Sequence, residues 1–255
     1  MTESAGPLRI GLDTGVLTLT LDRAAKRNAL SSALIEALHA GLDRADLDAD
    51  VRVVMLRGAG KDFCAGADLA DLLASADRSL ADNEAEALRL GLLFARMRTI
   101  PKPVVAVVQG RALAGGAGLA TACDITLAGA TAQIGYPEVL RGFVPAMVME
   151  MLRRLCGEKL ALDLVLTGRI LSADEARAAG LISRVLPDAD LDREANALGL
   201  QLAAAHSSAL ALTKRLFHEL DGVAFPEGIA LGARVNALAR QTSEFRSAIA
   251  QFLHK

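Results

Sequence analysis

The chain has no tryptophan, a single tyrosine and only three cysteines among its 255 residues. The cysteines, Cys64, Cys123 and Cys156, are odd in number and lie among apolar or small residues, so a disulfide framework is not expected. Their spacing does not match a metal site either. We therefore expect buried free thiols in a reducing compartment, with the cytoplasm as the location.

Long apolar runs are missing too, although 52% of the residues are hydrophobic and the mean hydropathy is +0.33. Polar residues interrupt every apolar stretch well before the ~18 residues that span a bilayer, so no membrane segment is expected. The N-terminal residues lack a basic region followed by an apolar run, and no secretory signal is expected. Subunit contacts would cover the apolar excess, and alanine-rich helices alone would also raise it.

Charge is small and evenly spread, and motifs of two common enzyme classes are absent. The formal net charge is −2, from 28 basic and 30 acidic residues, and no stretch resembles a nucleic-acid-binding arm, so nucleic acid is not an expected partner. Gly-x-Ser-x-Gly is missing and no histidine lies near a serine in a motif, which counts against a serine hydrolase. Residues 58–62 are not a phosphate-binding loop, because Asp62 stands where that motif needs a hydroxyl.

Apolar periodicity and turn residues predict a chain of strands followed by helices. Strands are predicted at residues 8–10, 16–21, 52–57, 104–108 and 181–186. Helices are predicted after a cap at Ser31 or Ser32, after residues 115–118, and at residues 145–157, 158–167, 172–180, 191–205, 208–220, 226–241 and 242–253. The acidic, alanine-rich segment 71–90 has only a weak helical pattern.

Two glycine-containing turns, each after an apolar run, are the candidate functional site. Residues 115–118 follow the run that ends at Val108, and residues 63–69 follow the run at residues 51–56. The first turn opens a helix, whose N-terminal N–H groups lack intrahelical partners and carry partial positive charge. Alone, such glycines usually make only a turn or tight packing. Together, the turns could direct two N–H donors at one oxygen, as in an oxyanion hole.

Several separated motifs resemble those of the crotonase family, also called enoyl-CoA hydratase/isomerase. The matches are residues 110–116 (GRALAGG), 123–125 (CDI), 133–138 (QIGYPE) and 142–145 (GFVP). The resemblance implies an α/β fold, a crotonase-like spiral of ββα units with a C-terminal helical region. It places residues 1–187 in the core and residues 188–255 in helices of the same unit that lie at contacts of a homotrimer or homohexamer.

The resemblance also implies an acyl-CoA thioester as substrate and a role for particular residues. The backbone N–H groups of Ala67 and Gly115 would hold the thioester oxygen, and Glu138 would be the catalytic acid/base. Because CoA is part of the substrate, no separate cofactor and no metal are expected. The predicted substrate-binding residues are Lys26, Ala29, Leu30, Ala65, Gly66, Ala67, Asp68, Leu69, Ala70 and Gly115.

Gly118 is the main departure from the family pattern. Hydratases with two catalytic glutamates carry the second one at this position, so Glu138 would act alone here. A gripped thioester has an electrophilic β-carbon and an acidic α-carbon. The preferred prediction is hydration of a 2-enoyl-CoA, and the alternative is isomerisation of a Δ3- to a Δ2-enoyl-CoA. A non-catalytic acyl-CoA-binding protein is the alternative of another class, which a solvent-facing Glu138 would favour.

Overall fold

The computed structural model describes residues 2–254, with side chains from residue 6 onward. Within these residues the strands are β1 Thr2–Ala5, β2 Leu8–Asp13, β3 Val16–Leu21, β4 Val53–Gly58, β5 Val104–Val108, β6 Arg111–Leu113, β7 Ile125–Gly129, β8 Gln133–Gly135, β9 Ile170–Ser172 and β10 Arg184–Leu186. The helices are α1 Ser32–Leu47, α2 Leu69–Ala74, α3 Leu80–Thr99, α4 Gly115–Ala122, α5 Ala146–Thr167, α6 Ala173–Ala178, α7 Leu191–Ala204, α8 Ser207–Glu219, α9 Phe225–Ala239 and α10 Ser243–Leu253. Short 3-10 helices lie at Ala24–Lys26, Pro137–Arg141 and Asp188–Asp190.

The larger sheet contains seven strands in the order β1-β2-β3-β4-β5-β7-β10. The first three are antiparallel neighbours, and β3, β4, β5, β7 and β10 run parallel. The two strands predicted at residues 8–10 and 16–21 are therefore confirmed as β2 and β3, which form an antiparallel hairpin. A second sheet of three short strands has the order β6-β8-β9.

Helices cover both faces of the larger sheet, which explains the unbroken apolar run of its central strand. All five residues of β5 are buried. Successive side chains of a strand point to opposite faces. Val104, Ala106 and Val108 lie in the main core with α1, α3, α4 and α5, whereas Val105 and Val107 lie under α7.

Local capping chemistry sets several helix ends where the sequence predicts them. The Ser31 side chain caps α1 by accepting from the N–H of Leu34, and Ser172 forms a capping box with Glu175 at the start of α6. The two helices predicted on either side of Gly157 are joined as α5, but Gly157 itself has φ 72° and ψ 166°. The helix is therefore kinked at the glycine that the sequence marks as a break.

The C-terminal helices α7 to α10 lie close to their predicted positions. Helix α7 packs on the larger sheet. Helix α8 contacts the rest of the protein through the buried Lys214, which pairs with Asp124. The Lys214 ammonium lies 2.7 Å from a carboxylate oxygen of Asp124, and it donates to the carbonyl oxygens of Met97 and Lys102 at 2.7 and 3.0 Å. The boundary at residue 187 stays a prediction.

Some elements differ from the sequence prediction. Strand β10 contains only Arg184–Leu186, because those residues alone pair with β7. The weakly patterned segment 71–90 is more helical than expected, since it includes the end of α2 and the first half of α3. Strands β1, β6, β7, β8 and β9 have no counterpart in the prediction.

Within residues 2–254, no helix is both long enough and apolar enough to cross a bilayer. The same residues hold no group of three or more side chains that could ligate a metal ion. The three cysteines are free thiols, as predicted, but only Cys64 is fully buried. Burial raises the pKa of the Cys64 thiol to about 12, so this thiol stays neutral.

Candidate active site

Four chain segments run parallel to one another: the segment at Leu30, the segment at residues 64–67, and strands β6 and β8. Leu30 pairs in parallel with Ala67, and Cys64 pairs in parallel with Ala112 of β6. Strand β6 in turn pairs in parallel with β8. Because parallel segments end at one edge of a sheet, the chain that follows each of them meets at that edge. The structure thereby brings together the two glycine turns and the segment that contains Glu138.

Glycine allows the two turns to touch backbone to backbone. A Cβ atom on Gly116 would meet the carbonyl group of Cys64 and lie 2.8 Å from its Cβ. A Cβ atom on Gly66, which has φ +95°, would lie 2.8 Å from the Cβ of Ala114. Any larger residue at either position would separate the turns, so close packing here requires glycine.

The N–H groups of Ala67 and Gly115 are the predicted oxyanion donors. Neither donates to another atom of residues 2–254. Gly115 is the first residue of α4, where an N–H has no intrahelical acceptor. The site therefore has two unpaired donors on adjoining turns, and their role as an oxyanion hole stays a prediction.

Ala114, which immediately precedes the proposed donor Gly115, has a backbone conformation that the sequence does not predict. Its φ of 53° and ψ of −126° lie in a region that residues with a Cβ rarely adopt. Such strain costs about 1–3 kcal/mol and clusters at functional sites. The N–H of Ala114 donates to the carbonyl oxygen of Gly135 at 2.8 Å, which holds this conformation against β8.

The predicted CoA-facing loops are joined by contacts centred on Asp68. Arg23 binds the Asp68 carboxylate at 2.8 Å and also donates to the carbonyl oxygen of Ala29. Lys26, which keeps 58% of its side chain exposed, lies 3.1 Å from the same carboxylate. Asp68 also caps α2 by accepting from the N–H of Ala70 at 3.2 Å. Sequence reasoning missed Arg23, which ties residues 23–30 to residues 65–70.

The remaining predicted binding residues lie in the same two loops. Ala65 donates its N–H to the carbonyl oxygen of Arg27 at 3.0 Å. Leu30 donates to Gly66 at 2.7 Å and accepts from Asp68 at 2.9 Å. Ala29 and Leu30 are buried, whereas Leu69 is exposed at the start of α2. The predicted binding residues therefore lie in these two adjoining loops, apart from Gly115 at the start of α4.

Asp68→Asn is expected to lower stability at neutral pH and to have less effect in acid. Arg23 and then Lys26 hold the pKa of Asp68 at about 2, below its ordinary value of about 3.9. Asp68 therefore stabilises the fold above about pH 4, and this stabilisation is lost as pH falls toward 2. Melting temperatures of wild type and variant should differ at pH 7 and converge in acid. The matched control Asp192→Asn, at an exposed partner of Arg57, should show little difference at any pH.

Glu138 lies in the 3-10 helix Pro137–Arg141, directly beyond β8. Its side chain is half-buried, and its Oε2 atom is buried without a hydrogen-bond partner among the described residues. Burial raises the pKa of Glu138 above its ordinary value, against smaller opposing effects of its own backbone and Arg141. A solvent-facing Glu138 would favour a non-catalytic binder; here the side chain is half-buried, with Oε2 as its buried oxygen.

The space beside Gly118 is filled by apolar side chains. A Cβ atom on Gly118 would lie 2.5 Å from Cγ1 of Val148 and 2.7 Å from the ring of Phe94. Both residues are buried. Leu30 and Leu90 approach the neighbouring Gly115 in the same way, at 3.1 and 3.4 Å from the position of a Cβ. The walls around α4 are therefore apolar, and α3 contributes two of these side chains.

Comparison with known sequences identifies relatives along almost the whole chain. The family model described as enoyl-CoA hydratase/isomerase matches residues 11–255. A Thermus thermophilus protein provisionally named enoyl-CoA hydratase is 42% identical over 240 residues, which cover 94% of this chain and 95% of that protein. The 2,3-dehydroadipyl-CoA hydratase of Escherichia coli is 37% identical over 245 residues, which cover 94% of this chain and 92% of that protein.

Solved structures agree with this result. The enoyl-CoA hydratase of Mycobacterium smegmatis has a TM-score of 0.92 at 30% identity and covers 98% of this chain and 97% of its own. The enoyl-CoA hydratase of Bacillus anthracis has a TM-score of 0.91 at 29% identity, and the match covers 97% of this chain and 96% of that protein. The predicted crotonase-like α/β fold is confirmed. The chain belongs to the enoyl-CoA hydratase/isomerase family.

Proposed function

We propose that the protein adds water to 2-enoyl-CoA thioesters, with Glu138 as its single acid/base. The observation that carries this proposal is the meeting, at one sheet edge, of two unpaired backbone N–H groups and a half-buried carboxylate. The names of the relatives support hydration as the reaction. The burial of Glu138 Oε2 counts against a protein that only binds acyl-CoA.

The N–H groups of Ala67 and Gly115 hold the thioester oxygen in this proposal. Negative charge that moves onto this oxygen is stabilised by donors already in place, at about 3 kcal/mol for each donor in comparable enzymes. The same charge movement makes the β-carbon electrophilic and the α-carbon acidic. One pair of donors therefore supports both bond-forming steps of hydration.

Glu138 transfers the proton. The water oxygen bonds to the β-carbon, Glu138 takes one proton of the water, and the electron pair of the double bond moves toward the thioester oxygen. Glu138 then returns that proton to the α-carbon as the enolate collapses, which yields a 3-hydroxyacyl-CoA. Its raised pKa brings the protonated form closer to neutral pH, as an acid/base that works in both directions requires.

The loops at residues 23–30 and 65–70 would hold the CoA part. Arg23, Asp68 and the buried Asn28 fix their shape through hydrogen bonds inside the protein. Lys26 remains more than half exposed although it contacts Asp68. Its ammonium group is therefore available to a CoA phosphate in this proposal.

Isomerisation of a 3-enoyl-CoA to a 2-enoyl-CoA is the second candidate. The observation that favours it is the apolar wall of Phe94 and Val148 beside Gly118. A dry wall suits a carboxylate that moves a proton from the α- to the γ-carbon without water. The oxyanion donors and Glu138 would have the same roles in both reactions.

Turnover of a panel of 2-enoyl- and 3-enoyl-CoA thioesters, followed by mass spectrometry in D₂O, tests the two reactions. Hydration predicts accumulation of 3-hydroxyacyl-CoA with one solvent deuterium at the α-carbon. The panel includes a dicarboxylic 2-enoyl-CoA, because one relative is named 2,3-dehydroadipyl-CoA hydratase. Isomerisation faster than hydration by more than about tenfold, or ~1.4 kcal/mol in barrier, would reverse the preference.

Two controls separate the remaining alternatives. Crotonic acid should neither bind nor react, since recognition depends on the CoA-facing loops. Tight binding of crotonyl-CoA without any turnover would instead identify a non-catalytic acyl-CoA-binding protein. Equal binding of the free acid and its thioester would show that the loop assignment is wrong.

We also propose that the protein is a homotrimer or a pair of trimers with the C-terminal helices at subunit contacts. Five large apolar side chains on α8, α9 and α10 are between 61% and 82% exposed. They are Phe217, Phe225, Ile229, Phe252 and Leu253. Apolar groups of this size on neighbouring helices are typical of protein contacts.

Light scattering at micromolar concentration should detect particles of three or six chains, each of 26.6 kDa. Phe225→Asp should shift the particles toward smaller species, because it places a charge on the proposed contact. Leu47→Asp is the matched control, since Leu47 is similarly exposed but lies at the end of α1, outside the C-terminal helices. A clean wild-type monomer would contradict the proposal.

A further inference from the structure

A cavity of about 380 Å³ lies between the start of α1 and the first half of α3. Ligand pockets usually measure ~300–1,000 Å³, so this space can hold a small chemical group. The roles proposed above for the oxyanion donors, Glu138 and the CoA-facing loops do not use it. Its walls are Ser32, Arg78, Asp82, Ala85, Glu86 and Arg89.

Helix α3 connects this cavity with the proposed donor Gly115. Residues four apart lie on the same face of a helix, so Glu86, Leu90 and Phe94 form one row. Phe94 lies 2.7 Å from the position of a Cβ on Gly118, and Leu90 lies 3.4 Å from that of a Cβ on Gly115. Glu86 is one turn farther along the row, about 6 Å at 1.5 Å per residue. The cavity is therefore the next space along α3 after the proposed donor.

The wall on the α1 side starts from the same donor. Leu30 Cδ1 lies 3.1 Å from the position of a Cβ on Gly115, and Ser32 follows two residues later as the first residue of α1. The Ser32 hydroxyl donates to Glu86 Oε1 at 2.8 Å, so the two walls meet there. Both walls thus lead from Gly115 to the cavity.

The two carboxylates in the cavity wall already have donors. Glu86 accepts from Ser32 and also from Arg78, the latter at 2.7 Å. Asp82 accepts from the hydroxyl of Ser79 at 2.6 Å. Neither carboxylate therefore needs a ligand to complete its hydrogen bonds.

The two arginines have donors to spare. A guanidinium carries five N–H groups. Among the described residues, Arg78 pairs with Glu86 and Arg89 pairs with Glu36, each through one nitrogen at 2.7 Å. Their side chains are 51% and 60% exposed, so a ligand can reach them. A planar guanidinium with free N–H groups suits a carboxylate, which it can bind with two parallel hydrogen bonds.

We propose that this cavity binds a carboxylate at the far end of the acyl chain, so that the preferred substrates are CoA thioesters of dicarboxylic acids. The inference rests on the proposed function, because it assumes an acyl-CoA whose thioester oxygen lies at Gly115. Leu30 and Leu90 contact the apolar middle of the chain, and Arg78 and Arg89 bind its terminal carboxylate. A plain alkyl chain would instead cover two cations without supplying an acceptor, which is unfavourable.

Calorimetry with two saturated thioesters tests the inference without turnover. Adipyl-CoA and hexanoyl-CoA share the CoA part and a six-carbon chain, but only adipyl-CoA has a terminal carboxylate. We expect adipyl-CoA to bind at least about tenfold more tightly. Arg78→Gln and Arg89→Gln should each weaken adipyl-CoA binding at least about threefold and change hexanoyl-CoA binding less than about twofold.

Arg193→Gln is the matched control and should change neither affinity. Arg193 is a similarly exposed arginine that pairs with Asp190, and it belongs to α7 on the opposite face of the larger sheet. Equal affinities of the two thioesters in the wild type would overturn the inference. An equal loss of both affinities in Arg78→Gln and Arg89→Gln would also overturn it, because the arginines would then bind a CoA phosphate or only maintain the shape of the cavity.

Turnover of the matching 2-enoyl thioesters separates this inference from the proposed hydration. Hydration of 2-hexenoyl-CoA and 2,3-dehydroadipyl-CoA with equal kcat/KM would overturn the carboxylate site and leave hydration standing. Tighter binding of adipyl-CoA without hydration of either enoyl thioester would overturn hydration and support the carboxylate site.

Discussion

Glu138→Gln should lower kcat for hydration by about 10² to 10⁴, with KM within a few-fold. Glutamine keeps the size of the side chain and removes the group that accepts the proton. The effect should reach the upper part of this range, because Gly118 offers no second carboxylate to substitute. Steady-state kinetics with crotonyl-CoA and α-proton exchange with butyryl-CoA measure the two proton transfers separately, and both should fall.

Glu219→Gln is the control for this substitution. Glu219 is an exposed residue at the end of α8 that pairs with Arg215 at 3.5 Å, so its loss should leave both rates unchanged. Retention of most activity by Glu138→Gln would show that another group carries the proton. Loss of binding as well as turnover would show that Glu138 mainly maintains the shape of the pocket.

Gly118→Glu should destabilise the protein by at least about 3 kcal/mol, since overpacking and an unpaired buried carboxylate both oppose it. The new Cβ would lie 2.5 Å from Val148 and 2.7 Å from Phe94. Urea unfolding measures the loss. Gly91→Glu on α3 is the matched control, because only the flexible end of Met147 lies within 4 Å of a Cβ at that glycine. A Gly118→Glu protein as stable as the wild type would contradict the packing around α4.

Phe94→Ala should make room for the new side chain. The double variant Gly118→Glu with Phe94→Ala should lose less stability than the sum of the single variants, by at least about 1 kcal/mol. If it folds, its second carboxylate should raise hydration relative to isomerisation, because the added group can orient water. Strict additivity would show that Phe94 is not what excludes a side chain at position 118.

Elements with a local chemical cause could be predicted from the sequence. Ser31 caps α1, Ser172 forms a capping box, and Gly157 interrupts α5, because each depends on residues within one turn. Strands β6 and β8 could not be predicted in this way, since each has only three residues and is stabilised by pairing with a distant segment.

The candidate site shows the same division. Ala67, Gly115 and Glu138 follow from motifs that resemble a family, and their predicted roles await experiment. The conformation of Ala114 has no signal in its side chain, because neighbouring segments impose it. Arg23 binds a carboxylate 45 residues away. The only available signal was that a buried Asp68 would need a cationic partner.

The single tyrosine also makes the site observable in an unmodified protein. Because tryptophan is absent, tyrosine fluorescence arises from one fully buried phenol, two residues before the proposed base. A thioester that enters beside it should change the emission of that residue alone, so a ligand titration reports on this site rather than on an average over the chain. Circular dichroism follows the helices of the same sample. Comparison of the two signals on heating would therefore distinguish local opening around Tyr136 from unfolding of the whole molecule.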